Sequence, residues 1–153
     1  MPDVFISHSS NDKEIAEDLA IQLNAFGLSV FLDSTSINPG QDWTQTILAN
    51  LSGSPVMLLL ASKNGIASPT VNQEVGWAMK QRCVIVPILW DMQPHELPPW
   101  IAKYQAVVFT GKSESEAQQQ LARLMRHLAE QKNQRAVAAL AILGFAVWAI
   151  FQK

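Results

Sequence analysis

Short apolar runs alternate along this chain with longer segments in which apolar residues recur every three or four positions. The runs have the length and composition of strands, whereas the periodic spacing is typical of a helix with one buried face. The predicted strands are Val4–Ile6, Leu28–Leu32, Pro55–Leu60, Cys83–Leu89 and Ala106–Phe109. Because parallel neighbours require helical crossovers, the alternation predicts an α/β fold with a flavodoxin-like, doubly wound, five-stranded parallel sheet in the order 2-1-3-4-5.

Cap residues and turn residues delimit the helices between these strands. Ser9–Asp12 followed by Glu14 has the form of a capping box, Gly27 can end the first helix, and Ser68 before Pro69 opens another. Ser113 and Glu116 have the same capping pattern. The apolar faces of the four helices are predicted to be Ile15, Leu19, Leu23 and Phe26; Trp43, Ile47 and Leu51; Val71, Val75 and Ala78; and Ala117, Leu121, Leu124 and Leu128.

Two local features refine this picture. Pro87 lies inside the fourth strand and has no N–H to donate to a neighbouring strand, so the strand should bend or stop pairing on one side there.

In a doubly wound sheet, ligands bind beyond the carboxyl ends of the strands. The loops that should gather there are Ser7–Ser10, Asp33–Gly40, Ser62–Ser68 and Trp90–Trp100.

Composition narrows the classes of function. The 11 Lys and Arg residues against 13 Asp and Glu residues include no long basic run, so nucleic acid is not an expected partner. Cys83 has no second thiol to pair with and is expected to be a buried core residue. His95 and His127 lack partners at metal-ligand spacing, so no metal is assigned. No signal-peptide pattern precedes the first strand, and the domain is expected in the cytoplasm.

The turn after the first strand excludes several nucleotide-binding folds. It reads His8-Ser9-Ser10-Asn11-Asp12, without the glycines of a Rossmann or P-loop domain, and it matches a flavodoxin phosphate loop only in part. A response-regulator receiver would have an aspartate at the end of the third strand, where Leu60-Ala61-Ser62 stands.

Several motifs, in this order, resemble the TIR (Toll/interleukin-1 receptor and resistance protein) domains, and the bacterial members in particular. Asp3-Val4-Phe5-Ile6-Ser7-His8-Ser9 looks like the first box of that family. Val30-Phe31-Leu32-Asp33, leading to Ile37-Asn38-Pro39-Gly40, is similar to its second strand and BB loop. Ser68–Ala78 is similar to the segment that carries the catalytic glutamate of NAD-cleaving members. The fourth strand of the family and the loop after it resemble Val86-Pro87-Ile88 and Leu97-Pro98-Pro99-Trp100.

The resemblance implies that Glu74 is the catalytic residue and that NAD is a substrate rather than a cofactor. From spacing alone, Glu74 borders the apolar stripe of its helix beside Trp77, where a boundary glutamate with its carboxylate in water is the competing interpretation. The residues predicted to contact the substrate are Ser7, His8, Phe31, Asp33 and Trp77. The BB-loop residues through which copies of the chain are expected to associate are Ser34, Ile37, Asn38, Pro39 and Gly40.

Three functions follow as expectations. The first is an NAD glycohydrolase that releases nicotinamide and linear or cyclic ADP-ribose, is activated by self-association, and acts as a bacterial immune or cell-suicide effector. The second is a non-catalytic TIR adaptor that recruits other TIR domains. The third is a membrane scaffold in which the C-terminal segment is the main functional element.

The C-terminal segment Ala136–Phe151 has 16 residues without a charge, close to the minimum of about 17 for a membrane-spanning helix. Arg123, Arg126, Lys132 and Arg135 precede it, which would leave the domain on the cytoplasmic side of the inner membrane. We therefore expect a TIR domain over residues 1–131 and an appended apolar helix over residues 132–153, a membrane anchor. A helix that packs between copies of the chain is the alternative.

Overall fold

The computed structural model describes residues 2–32 and 43–151, with the side chains of residues 2–32 and 44–135. The strands are β1 Val4–Ser7, β2 Val30–Leu32, β3 Val56–Leu60, β4 Val84–Leu89 and β5 Val107–Val108. The helices are α1 Lys13–Ala25, α2 Trp43–Gly53, α3 Lys63–Ala67, α4 Pro69–Lys80, α5 Pro99–Ala102 and α6 Glu114–Phe151. Ser10–Asp12 and Pro94–Glu96 form single 3₁₀ turns.

The strands form one parallel sheet in the order β2-β1-β3-β4-β5, which confirms the prediction. Strand β1 is paired on both sides, with Phe5 opposite Phe31 in β2 and opposite Met57 in β3. Pro87 pairs with Leu59 of β3, and the ladder to β5 begins only at Ile88. Pairing on the β5 side thus starts after the proline, as its missing N–H predicts.

Alternate strand residues face two separate hydrophobic cores, because successive side chains in a strand point to opposite faces. Phe5, Met57 and Leu59 pack with α2, α4 and α5 on the first face. Val4, Ile6 and Leu58 pack with α1 and α6 on the second face. The fold is therefore a three-layer α/β sandwich, and different helices cover the two faces of the sheet.

The first helix differs from its predicted orientation. Its buried residues are Ala16, Leu19 and Leu23, whereas Ile15 and Phe26 are 44% and 41% exposed. The stripe of Ala16, Leu19 and Leu23 also has helical spacing, and the small alanine lets the helix approach the sheet. Ile15 instead lines a surface cavity of about 200 Å³ between α1 and α6.

The predicted capping box at α1 is wrong, while the other two predicted caps form. Among the described residues, α1 has no side-chain cap bond, because Asp12 turns inward and is only 6% exposed. Ser68 Oγ accepts a hydrogen bond from Val71 N at 3.3 Å, with Pro69 at the first helical position. Ser113 and Glu116 exchange reciprocal bonds of 3.0 and 3.3 Å at the start of α6.

The segment after β3 was predicted as a loop and contains the short helix α3. Ser62 caps it, since its hydroxyl accepts a hydrogen bond from Gly65 N at 2.9 Å. A Cβ on Gly65 would stand 2.2 Å from the carbonyl oxygen of Leu60. Only a glycine therefore lets α3 turn back this closely on the end of its own strand.

Helix α6 runs without interruption across the boundary predicted at residues 131 and 132, so the C-terminal segment continues the last domain helix. Lys132 docks this helix at the amino ends of the strands. Its ammonium group lies 2.9 Å from Asp3 Oδ2 and donates to Gly27 O at 2.8 Å. The side chains of residues 136–153, on which the predicted anchor depends, lie outside the described part. Among the residues described with side chains, we find no helix long and apolar enough to cross a membrane.

Candidate functional site

The site begins with the last residue of the central strand. Ser7 ends β1 at the carboxyl edge of the sheet and faces the same side as Phe5, two positions earlier. Both residues are fully buried. The ring of Phe31 in β2 stacks on Phe5, with centroids 5.3 Å apart and an interplanar angle of 28°. Two aromatic rings thus form an apolar floor beside the Ser7 hydroxyl.

Glu74 lies on α4, which packs against the same face of the sheet as Phe5. Val71, Val75 and Ala78 anchor the same helix face in the core, as their spacing predicted. The structure buries Glu74 more deeply than its boundary position suggested, to 2% exposure. The Ser7 hydroxyl donates a hydrogen bond of 2.5 Å to Glu74 Oε2. Burying a carboxylate is costly unless hydrogen bonds compensate, and the bond from Ser7 supplies part of that compensation.

His8 follows Ser7 and is half-buried at the same edge. Its Nδ1 donates to the carbonyl of Ser9 at 2.8 Å, which leaves Nε2 as an acceptor in the neutral ring. Nε2 is buried and has no hydrogen-bond partner among the described residues. The structure therefore brings Ser7, His8 and Phe31 to the end of the sheet where Glu74 stands.

Trp77 lies one turn beyond Glu74 on α4 and is half-buried against the first core. It lines a cavity of about 280 Å³ between α2 and α4, together with Leu48 and Lys80. Since α4 runs back toward the amino ends of the strands, Trp77 is displaced from Ser7 along the helix. Its predicted contact with the substrate stays a prediction.

The remaining predicted site residues fall on a segment outside the described residues. These are Asp33 and the BB-loop residues Ser34, Ile37, Asn38, Pro39 and Gly40. The segment starts directly after Leu32, which pairs with Ile6 one position before Ser7. Residue 33 is therefore close along the chain to the strand end that carries the site.

A second buried carboxylate was missed from the sequence. Asp12 Oδ2 accepts hydrogen bonds from Ser9 Oγ at 2.9 Å and from Ser62 Oγ at 2.5 Å. This cluster ties the turn after β1 to the start of α3 after β3. The sequence signal was the serine-rich turn itself, which we interpreted as a helix cap.

Cys83 is not a second reactive centre. It is partly buried before β4, at the edge of the sheet opposite Ser7, and its thiol donates to Ser54 O at 3.3 Å. Burial raises the pKa of this thiol to about 11, which keeps it protonated and unreactive at neutral pH. Within the described part of the chain, no three His, Cys, Asp or Glu side chains are grouped to hold a metal ion.

The arrangement suits a reaction that builds positive charge. A carboxylate that is buried on a helix, away from water, stabilises a developing cation more strongly than it could in solvent. Such charge develops at a sugar carbon when a glycosidic bond breaks.

Comparison with solved structures supports the same fold. The chain is similar to the TIR domain of the Toll-related receptor TRR-2 from Hydra magnipapillata, with a TM-score of 0.70 and 18% identity over 84% of this chain and 98% of that one. It is also similar to the TIR domains of the activated Roq1 resistosome, which directly recognises the pathogen effector XopQ, with a TM-score of 0.68 and 14% identity over 84% and 99% of the two chains.

A third similar structure is an enzyme. The CMP N-glycosidase BcmB of Clostridium botulinum has a TM-score of 0.56 and 17% identity over 81% of this chain and 98% of its own. At these identities the likeness shows the fold alone. No curated protein matches the chain. The TIR domain family model matches residues 4–125, which span β1 to the first third of α6. The chain therefore belongs to the TIR domain family.

Proposed function

We propose that this protein cleaves the N-glycosidic bond of NAD and releases nicotinamide and ADP-ribose, with Glu74 as the catalytic carboxylate. The observation that carries the proposal is the burial of Glu74 to 2% exposure at the carboxyl end of β1, where its carboxylate is hydrogen-bonded by Ser7. A glutamate with only a packing role would direct its carboxylate to water. The segment Ser68–Ala78 also resembles the one that carries the catalytic glutamate in NAD-cleaving TIR domains.

The chemistry needs only one carboxylate. The bond from ribose C1′ to the nicotinamide nitrogen breaks, and its electron pair neutralises the positive pyridinium. Positive charge then grows on C1′, where Glu74 stabilises it and orients the ribose hydroxyls. Water attacks C1′ and loses a proton to solvent, which gives nicotinamide, ADP-ribose and H⁺. Because the leaving group is already cationic, no general acid is required.

His8, Phe31, Asp33 and Trp77 are the proposed substrate contacts that accompany Glu74. Phe31 offers an aromatic face beside the site, and Nε2 of His8 is a buried nitrogen without a hydrogen-bond partner among the described residues. We also propose that copies of the chain associate through Ser34–Gly40 and that this contact switches the activity. This segment follows β2, whose last residue pairs one position away from Ser7, so a contact there could be transmitted to the site.

The C-terminal half of α6 is the proposed means of concentrating the copies. Helix α6 extends past Lys132 beyond the amino ends of the strands, away from the edge that carries Glu74. A membrane bound by residues 136–151 would therefore leave the site facing the cytoplasm. Confinement to a surface raises the local concentration and favours association. The setting that we propose is a bacterial immune or cell-suicide effector that depletes NAD.

The test follows nicotinamide release from NAD by the purified full chain, clustered on liposomes or by a crowding agent. Glu74→Gln should reduce the rate by at least about 100-fold, since it removes the charge but keeps the shape. Gln73→Ala is the matched control, because Gln73 is the exposed neighbour on the same helix and should leave the rate unchanged. Sedimentation with the liposomes in alkaline carbonate reports whether the tail is inserted.

Two other results would redirect the proposal. If the clustered wild type releases neither nicotinamide nor cytosine faster than Glu74→Gln, the enzyme hypothesis is lost and the TIR adaptor takes its place. CMP is included as a second substrate, because a protein of similar fold is described as a CMP N-glycosidase. Release of cytosine without release of nicotinamide would keep the glycosidase chemistry and replace the substrate.

A further inference from the structure

Ser7 occupies an unusually rigid position for a polar side chain. It ends the strand that is paired on both sides, and its own backbone is in register with Leu59 of β3. Its side chain is fully buried on the face that carries Phe5. Ser7 therefore contacts Glu74 from the end of the central strand.

The hydroxyl acts on one atom of Glu74. A glutamate on a helix can rotate about three side-chain bonds, and the last of these is broad and weakly restricted. The hydrogen bond of 2.5 Å from Ser7 Oγ holds Oε2 against the sheet. Holding one oxygen reduces the number of orientations that the carboxylate can adopt.

We propose that Ser7 is a positioning residue that orients the Glu74 carboxylate for the cleavage step, and not a substrate contact. This role rests on the proposed glycosidase function. It differs from the role predicted from the sequence, where Ser7 was grouped with the residues that touch NAD.

The energetics favour a functional role for the pair over a stabilising one. Both side chains are buried, and their own elements carry the core residues Phe5 in β1 and Val71 and Val75 in α4. At such a position an apolar pair of similar volume is often as stable as a buried polar pair, or more stable. A serine and a carboxylate are therefore not what packing alone would select here. A fixed carboxylate geometry is what catalysis requires, since a misplacement of about 1 Å can cost roughly 100-fold in rate.

The experiment compares kcat and KM for nicotinamide release in the clustered full chain. Ser7→Ala should lower kcat by about 100-fold and leave KM within about twofold, because the lost interaction matters only in the transition state. Ser7→Thr keeps the hydroxyl and should recover at least about a tenth of kcat. Ser54→Ala is the matched control: Ser54 is also buried, its hydroxyl donates to Asn50 O at 2.8 Å, and it lies at the opposite edge of the sheet.

The outcomes separate this role from the function on which it rests. If the wild type is active and Ser7→Ala is equally active, the positioning role alone is overturned. A rise in KM with kcat unchanged also overturns it and restores the substrate contact. A wild type that is silent with NAD and CMP overturns both proposals. If Ser7→Ala does not fold by circular dichroism, Ser7→Cys is measured instead, since a thiol nearly keeps the volume but donates only weakly.

Discussion

The hydroxyl of Ser62 donates a hydrogen bond of 2.5 Å to Asp12 Oδ2, although 50 positions separate the two residues. The same hydroxyl accepts from Gly65 N and so caps α3. One serine thus links the turn after β1 to the helix that follows β3, at the edge of the sheet that carries Ser7 and His8. The geometry of the first loop depends on this buried cluster and not on a helix cap.

Removal of the Asp12 carboxylate should therefore be costly. Asp12→Ala leaves the hydroxyls of Ser9 and Ser62 without their acceptor in a buried place, and we expect the free energy of unfolding to fall by about 2–4 kcal/mol. Urea unfolding followed by circular dichroism measures the change. Glu14→Ala is the contrasting variant, since a capping box would need Glu14, which is exposed and should change stability by less than about 0.5 kcal/mol. A larger loss at Glu14 than at Asp12 would contradict the observed arrangement.

Two glycines on neighbouring helices should respond to alanine in opposite directions. In Gly65→Ala the new Cβ would stand 2.2 Å from the Leu60 carbonyl, so stability should fall by about 3 kcal/mol or more. Gly76 is exposed inside α4 with nothing within 4 Å of a built Cβ, so Gly76→Ala should raise stability by about 0.5–1 kcal/mol. Thermal melts of both variants provide the comparison. Equal effects would show that α3 does not approach β3 as closely as described.

The stability that the contact between Asp3 and Lys132 contributes should decrease at acidic pH. Burial opposes the ionisation of Asp3, but the hydrogen bonds from Lys132 and Ser29 and the charge of Lys132 outweigh it, so the pKa of Asp3 lies below its ordinary value of 3.8. A depressed folded-state pKa contributes stability that is fully present above the unfolded-state value and is lost as pH falls through the folded-state value.

Lys132→Ala should accordingly destabilise the chain by no more than about 1 kcal/mol at pH 7, because the pair is partly exposed. The difference in the free energy of unfolding between Lys132→Ala and wild type should shrink below pH 4. The hydrogen bond from Lys132 to Gly27 O should account for the difference that remains. Urea unfolding at a series of pH values measures this dependence. Lys13→Ala removes the exposed pair with Glu17 and should change stability by only about 0.3–0.5 kcal/mol. A difference for Lys132→Ala that grows on acidification would refute this account.

The pattern of apolar residues was sufficient to predict the parallel sheet and its strand order. Continuously apolar runs such as Val56–Leu60 can be buried only between two helical layers, and the helices between them force parallel neighbours. The α4 stripe and its Ser68-Pro69 start were also predictable, since both depend on local spacing and local hydrogen bonds.

Predictions were wrong where two sets of apolar residues could form the buried face of a helix, or where a polar side chain had two possible hydrogen-bond partners. In α1, Ile15 and Ala16 both continue a helical stripe with Leu19, and only the distance between helix and sheet selected the smaller residue. The serine-rich turn could cap a helix or bind a buried carboxylate. The choice depended on Ser62, which no local pattern connects to Asp12.

The sequence by itself determined the sheet, the helical layers, and the presence of a glutamate at the border of the apolar stripe of α4, because burial periodicity is encoded in neighbouring residues. Only the tertiary structure decided that Glu74 is fully enclosed and that Ser7, 67 positions away, donates to it. A hydrogen bond between a strand end and a helix depends on the register of the sheet and on how the helix is seated against it. Neither quantity is set by the residues next to Ser7 or Glu74 in the chain.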